Sequence, residues 1–116
     1  MKTAKVLLTG FEPFGDVAEN PSQQIVAHFA DAENGVNGLE LVTAVLPVVY
    51  DLAGGRLKAL LAEYQPDAVL LLGVAARREG IHLERVALNL MDAPIADNAG
   101  LLRKGQRIDG RGPAAY

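Results

Sequence analysis

Phe11 and Phe14 are the side chains whose positions most directly suggest a binding site. They are two of the three phenylalanines in the chain, and they lie between Gly10 and Gly15 in a segment that also contains Pro13. Loops are mostly polar and exposed, so two phenylalanines in one loop require an explanation. Either both rings close the hydrophobic core from above, or they take part in a ligand-binding site at that loop.

The reactive residue types exclude several kinds of chemistry. The chain contains no cysteine, which rules out disulfides, thiolate catalysis and cysteine-bound zinc within these 116 residues. His28 and His82 lie far apart and lack the spacing of metal ligands, so we expect no metal site. The segment from Gly10 to Gly15 has the outline of a phosphate-binding loop, but Asp16 follows where such a loop needs lysine.

Size and charge limit the class of protein further. With 116 residues, half of them apolar, the chain is long enough for a single domain with a packed core. A net charge of −3 argues against nucleic acid or an anionic membrane as a partner. The apolar run at residues 6–8 is too short for a signal peptide, and no run approaches the ~18 residues that cross a bilayer. We therefore expect a cytoplasmic protein.

The spacing of apolar residues predicts alternating strands and helices. Asn20 has the features of a helix N-cap, and the helix that it begins is predicted to end near Asn34. A second helix is predicted over residues 49–64, although Gly54 and Gly55 in its interior should each cost about 1 kcal/mol relative to alanine. The four predicted strands cover residues 6–8, 39–45, 68–72 and 86–90.

This order of elements is typical of a three-layer α/β/α fold with a mostly parallel sheet. Residues 68–72 are apolar throughout, so they are predicted to form a central strand. Open parallel sheets bind ligands at the loops that leave the carboxyl ends of their strands. Residues 10–20 and 73–84 are the two loops of that kind, and we expect them at the same edge of the sheet.

Four sequence blocks, spread over nearly all of the chain, resemble the pyroglutamyl peptidase (pyrrolidone-carboxylate peptidase) family. They are residues 9–15 (TGFEPFG), 20–22 (NPS), 81–89 (IHLERVALN) and 112–116 (GPAAY). The resemblance implies a cysteine peptidase that removes an N-terminal pyroglutamyl group from peptides through a thioester, using a cysteine, a histidine and a glutamate. It also implies a homo-oligomer without a cofactor.

The resemblance assigns roles to three residues. Glu84 would be the catalytic carboxylate, which orients the histidine and stabilises its protonated form. Phe11 and Phe14 would hold the flat, uncharged lactam ring of the substrate. Considered without the resemblance, Glu84 is a surface carboxylate that pairs with Arg78 or Arg85.

The chain departs from the family pattern at Val74, His82 and Pro94, where the family has glutamine, serine or threonine, and arginine. We expect residues 1–116 to be the N-terminal part of such a peptidase, because the family's cysteine and histidine lie beyond the block that ends at Tyr116. The 116 residues alone are then predicted to be inactive. The alternative function is a truncated or divergent non-catalytic module that binds peptide N-termini or lactam-like ligands.

Overall fold

In a computed structural model of the chain, residues 2–31 and 35–116 are described, and they form a mixed α/β fold with a parallel sheet, as predicted. The predicted end of the first helix near Asn34 lies outside the described residues. The elements, in chain order, are β1 (Lys5–Phe11), α1 (Pro21–Ala30), β2 (Glu40–Leu46), α2 (Tyr50–Tyr64) and β3 (Ala68–Leu71).

The sheet has the strand order β2-β1-β3, and both pairings are parallel. The chain passes from β1 over α1 to β2, and then returns over α2 to β3 on the other side of β1. Since such crossovers are right-handed, two crossovers in opposite directions place the helices on opposite faces of the sheet. The direction of winding reverses at β1, which is where open α/β sheets form a crevice at their carboxyl edge.

β1 is the central strand, so the prediction that residues 68–72 are central is wrong. Leu7 and Leu8 of β1 are 0% and 5% exposed, whereas Leu70 and Leu71 of β3 are 50% and 53% exposed. Among the described residues β3 pairs with β1 alone, and α2 packs mainly on β2. The apolar composition of residues 68–72 predicts that the segment is buried, but it does not identify the elements that cover it.

β1 is longer than predicted, because its pairing with β2 continues through Gly10 to Phe11, opposite Leu46. Phe11 is therefore the last residue of a strand and not a loop residue. Gly10 is required here by its contact with α1. A Cβ at this position would lie 2.6 Å from the carbonyl carbon of Ser22, which is the second residue of the helix.

The predicted fourth strand at residues 86–90 is absent from the described part of the chain. Ala87 exchanges backbone hydrogen bonds of 3.2 and 2.9 Å with Tyr116, and the segment forms one isolated antiparallel bridge in the described chain, between Leu88 and Ala115, but no continuous ladder. The segment is instead held by the buried side chain of Asn89. Its Oδ1 accepts hydrogen bonds from the N–H groups of Ile108 and Asp109, at 2.9 and 2.8 Å.

The two helices begin in different ways. The Oδ1 of Asn20 accepts a hydrogen bond from the N–H of Ser22 at 3.0 Å, which confirms the predicted N-cap. The N-cap residue of α2 is Val49, whose side chain cannot accept a hydrogen bond. Close packing does not account for Gly54 and Gly55, because a Cβ added to either residue would meet no described atom within 4 Å beyond its chain neighbours and the backbone of its own helix.

Candidate functional site

The carboxyl edge of the sheet brings together the two loops that the sequence singled out. β1 and β3 run parallel with Thr9 opposite Leu71, so the segments that follow them leave the sheet on the same side. The first, residues 12–20, connects β1 to α1, and the second begins at Leu72 after β3. This edge is therefore the candidate site, as the parallel topology leads one to expect.

A cavity of about 410 Å³ opens at this edge, beside the ends of β1 and β2 and the first turns of α2. Its walls are almost entirely apolar, and none of the described lining residues is lysine, arginine or histidine. The lining residues come from the end of β1 and its loop, from the connection between β2 and α2, and from the C-terminal segment: Phe11, Phe14, Pro47, Val48, Val49, Tyr50, Ala53, Gly54, Leu90, Met91, Ala93, Ile95, Ala96, Asp97 and Ile108.

Phe11 and Phe14 both line this cavity and are both half-buried. Phe11 is positioned by its pairing with Leu46 and by a hydrogen bond from its N–H to the Oγ of Ser22, at 2.9 Å. Phe14 lies in a tight turn in which its carbonyl accepts the N–H of Val17 at 2.8 Å. The rings thus contribute to a concave surface rather than closing the core alone.

Asp97 is a polar lining residue that the sequence analysis did not single out. Its Oδ2 accepts the N–H of Tyr50 at 2.9 Å, so a residue from a distant segment caps the helix whose own N-cap is valine. Its Oδ1 accepts the N–H groups of Ala99 and Leu101, both at 2.9 Å. Acceptors at a helix N-terminus compensate for the unpaired N–H groups there.

These contacts also determine the charge state of Asp97. Desolvation by its surroundings raises the pKa of this carboxyl, but the N–H groups of Tyr50, Leu101 and Ala99, together with the nearby charge of Arg103, outweigh that effect. The pKa of Asp97 therefore lies below its ordinary value of 3.8. The carboxylate is ionised at neutral pH, and both of its oxygens are already engaged by the protein.

Glu12 and Asn98 are two further polar residues at this edge that the sequence analysis did not single out. Glu12 lies between the two phenylalanines, and Asn98 follows Asp97. Their side chains are hydrogen-bonded to each other at 3.0 Å although 86 positions separate them in the sequence. Glu12 belongs to the family-resembling block at residues 9–15, whereas Asn98 belongs to none of the four blocks. Neither residue type nor spacing indicates that the two side chains meet.

Glu84 lies in the segment after β3, and it is not among the residues that line the cavity. Its side chain is 75% exposed, and its Oε1 accepts a hydrogen bond from Nη1 of Arg78 at 2.9 Å. The structure thus contains the ion pair that the alternative interpretation expects, at an exposure where such pairs add little stability. The Nε2 of His82 contacts the carbonyl of Glu79 at 2.9 Å, and no imidazole is placed against Glu84 in the described chain.

Two further findings concern the described residues, 2–31 and 35–116. Their Asp, Glu and His side chains do not come together in any group of three or more that could hold a metal ion. None of their helices is long and apolar enough to cross a membrane.

Comparison with known proteins gives one consistent result. Residues 4–116 match the family model described as pyroglutamyl peptidase. The chain is 43% identical over 112 residues to the pyrrolidone-carboxylate peptidase of Oceanobacillus iheyensis, covering 97% of this chain and 55% of the relative. It is 45% identical over 117 residues to that of Deinococcus radiodurans, covering 96% of this chain and 50% of the relative.

Comparison with solved structures agrees with the comparison of sequences. The crystal structure of pyrrolidone carboxyl peptidase from Fervidobacterium islandicum AW-1 superposes with a TM-score of 0.91 at 41% sequence identity. The superposition covers 97% of this chain and 53% of that one. The chain therefore spans about half the length of the relatives that it matches.

Proposed function

From the premise that this chain belongs to the pyroglutamyl peptidase family, we propose that it carries the pyroglutamyl-binding part of a cysteine peptidase of the cytoplasm. The reaction is hydrolysis of the peptide bond that follows an N-terminal pyroglutamyl residue. The observation that carries the proposal is the apolar cavity at the carboxyl edge of the sheet, which Phe11 and Phe14 both line. Residues 1–116 act in it as one α/β unit.

The chemistry of the cavity suits the ligand. A pyroglutamyl group is a flat lactam that has neither the free amine nor the side-chain carboxylate of glutamate, so apolar walls and a few hydrogen bonds recognise it. The described walls contain no cationic side chain, and both oxygens of Asp97 are engaged by backbone N–H groups. An anion would lose its hydration there without gaining a partner, and a cation would meet only a carboxylate whose two oxygens already accept hydrogen bonds.

Glu84 is the proposed catalytic carboxylate. Its Oε1 is held by Arg78, and its Oε2 has no hydrogen bond in the described chain, which leaves an acceptor for the N–H of an imidazole. The imidazole would deprotonate a cysteine, and the thiolate would attack the carbonyl next to the lactam ring. The peptide C–N bond would break as the imidazolium protonates the departing amine, and water would then hydrolyse the resulting thioester to pyroglutamate and free thiol. These 116 residues contain no cysteine, so the thiolate is not one of their own groups.

Binding of pyroglutamyl amide to the ¹⁵N-labelled chain tests the pocket. We expect its amide shifts to change around the cavity, while prolinamide, which carries a charged amine, leaves them unchanged. Phe14→Ala should weaken binding by roughly tenfold or more, because it removes one wall of the pocket.

Phe29→Ala is the matched control, since Phe29 lies on α1 and does not line the cavity. Equal affinity of the wild type and Phe14→Ala would argue that the phenylalanine ring does not contact the lactam. Absence of binding to the wild type would remove the pocket from the proposal.

A non-catalytic module that binds peptide N-termini or lactam-like ligands is the second candidate. The lack of cysteine favours it for this polypeptide. Both candidates expect the same binding result and no turnover by these 116 residues alone. Turnover by the chain together with a segment that supplies a cysteine and a histidine would favour the peptidase.

We also propose that copies of this chain self-associate through β3. Val69, Leu70 and Leu71 are between 41% and 53% exposed, and β3 pairs only with β1 among the described residues. An apolar strand with a free edge is a template for pairing with another strand. A second copy offers the same edge, so two β3 strands can pair about a two-fold axis.

Sedimentation velocity at micromolar concentration measures this association. We expect the wild type to sediment as an oligomer and Leu70→Lys to sediment as a monomer. Leu52→Lys, at a residue of α2 that is 57% exposed, is the control and should remain oligomeric. A compact wild-type monomer would show that the exposed strand does not recruit a second copy.

A further inference from the structure

Three segments that are distant in the sequence form most of the walls of the cavity. They are residues 11–14, residues 47–50 and residues 90–97, and nothing in the local conformation of one determines where another lies. Apolar contacts between them are not directional, so they leave the separation of the walls poorly defined. Directional bonds between the segments are therefore what can set the width of the cavity.

Asn98 makes such bonds to both of the other segments. Its Nδ2 donates to the Oε1 of Glu12 at 3.0 Å and to the carbonyl of Pro13 at 2.9 Å. Its backbone N–H donates to the carbonyl of Val48 at 2.8 Å. One residue thus joins the end of the 90–97 wall to the loop between the two phenylalanines and to the connection that begins α2.

Glu12 completes the connection. Its Oε1 accepts the N–H of Val48 at 3.1 Å in addition to the amide of Asn98. Its own N–H donates to Leu46 and its carbonyl accepts the side-chain amide of Asn20, both at 3.1 Å. Glu12 is thereby tied to β2 and to the cap of α1, so the oxygen that Asn98 contacts belongs to a firmly placed residue.

We infer that Glu12 and Asn98 form a clasp that determines which ring size the cavity accepts. The clasp holds the wall that carries Phe11 and Phe14 at a fixed separation from the wall that carries Ile95. This role of positioning residues rests on the proposed function, since the five-membered lactam is the ring that the clasp would select. Loss of the clasp lets the walls separate, and a six-membered lactam then binds almost as well.

The clasp has a signature that needs no ligand. A methyl group added at Gly15 would lie 3.2 Å from the Cδ1 of Ile95, so this residue of the opposite wall lies directly against the loop. A nuclear Overhauser contact between the Ile95 methyl and the Gly15 Hα therefore reports whether the two walls are held together. A role limited to overall stability would not move this contact in a chain that remains folded.

The experiment compares four variants of the chain by this contact and by their relative affinity for five-membered and six-membered lactam carboxamides. Asn98→Ala and Glu12→Ala remove one side of the clasp each, and we expect both to lose the contact and about tenfold of the ring-size selectivity. Glu12→Gln keeps the Oε1 acceptor for both donors and should retain both properties. Glu19→Ala removes a glutamate of the same loop that does not line the cavity, and it should behave as the wild type.

Each result decides for or against the clasp. Retention of the Ile95–Gly15 contact in Asn98→Ala would overturn the clasp. Loss of this contact in Glu12→Gln would also overturn it, because the shared acceptor would then not be what joins the walls. Failure of the wild type to bind either lactam would count against the proposed function. In that case the Ile95–Gly15 contact alone tests the clasp. Loss of the contact in Asn98→Ala together with its retention in Glu12→Gln would support the clasp.

Discussion

The purified 116-residue chain is expected to release no coumarin from a pyroglutamyl-coumarin reporter. The thioester route needs a thiolate, and the chain contains no cysteine. Glu84 is present, but a carboxylate that orients an imidazole contributes nothing when no nucleophile is available. In a serine protease, removal of the nucleophile alone lowers kcat by about 2 × 10⁶, so activity here should fall below detection.

The pyrrolidone-carboxylate peptidase of Oceanobacillus iheyensis, assayed under the same conditions, is the positive control for the reporter. Turnover that thiol alkylation abolishes would indicate a contaminating peptidase of the expression host. Turnover that survives alkylation in pure material would contradict the cysteine-peptidase account of this chain. The inactive outcome, combined with binding of pyroglutamyl amide, would leave a lactam-binding unit without a nucleophile of its own.

The second large effect is expected at Gly10, where substitution by alanine should destabilise the fold by about 1–3 kcal/mol. The added methyl group would overlap the carbonyl oxygen of Ser22 and lie 3.1 Å from the backbone nitrogen of Gln23. Both atoms belong to the first turn of α1 and not to a flexible side chain, so the helix itself must move. That movement also disturbs the hydrogen bond from Phe11 to Ser22.

Gly55→Ala is the matched control, and its effect should have the opposite sign. A Cβ at Gly55 would meet no described heavy atom within 4 Å beyond its chain neighbours and the backbone of α2. Alanine in a helix interior is favoured over glycine by about 1 kcal/mol. Urea unfolding followed by circular dichroism measures both changes in the free energy of unfolding. Equal stability of Gly10→Ala and the wild type would contradict the close approach of α1 to β1. Destabilisation by Gly55→Ala would indicate that another surface packs closely on α2.

Features that depend on neighbouring residues could be predicted from the sequence. The cap at Asn20 and the length of α2 follow from hydrogen bonding and apolar spacing within a single turn or face. The alternation of helices and strands was sufficient to predict a parallel sheet, because parallel strands require crossover connections. The family resemblance identified Phe11 and Phe14, and the structure places both rings at one cavity.

Features that depend on which elements become neighbours could not be predicted. The apolar composition of residues 68–72 does not reveal that β1, with its less uniform sequence, lies between the other two strands. The short run at residues 86–90 resembles a strand, but among residues 2–31 and 35–116 its backbone forms a single bridge, to the segment at residues 114–116. A strand requires a partner along its length, and a sequence pattern does not supply one.

The amino-acid sequence by itself therefore determined the local conformations, the class of fold and, through family resemblance, the residues proposed to hold a lactam. Only the tertiary structure brought Asp97 to the first turn of α2 and Asn98 to Glu12. These contacts join positions 47 and 86 residues apart. Their physical cause is the winding of the chain around β1, which gathers the carboxyl ends of the strands at one edge. No local propensity encodes that meeting, because it depends on the packing of the elements as a whole.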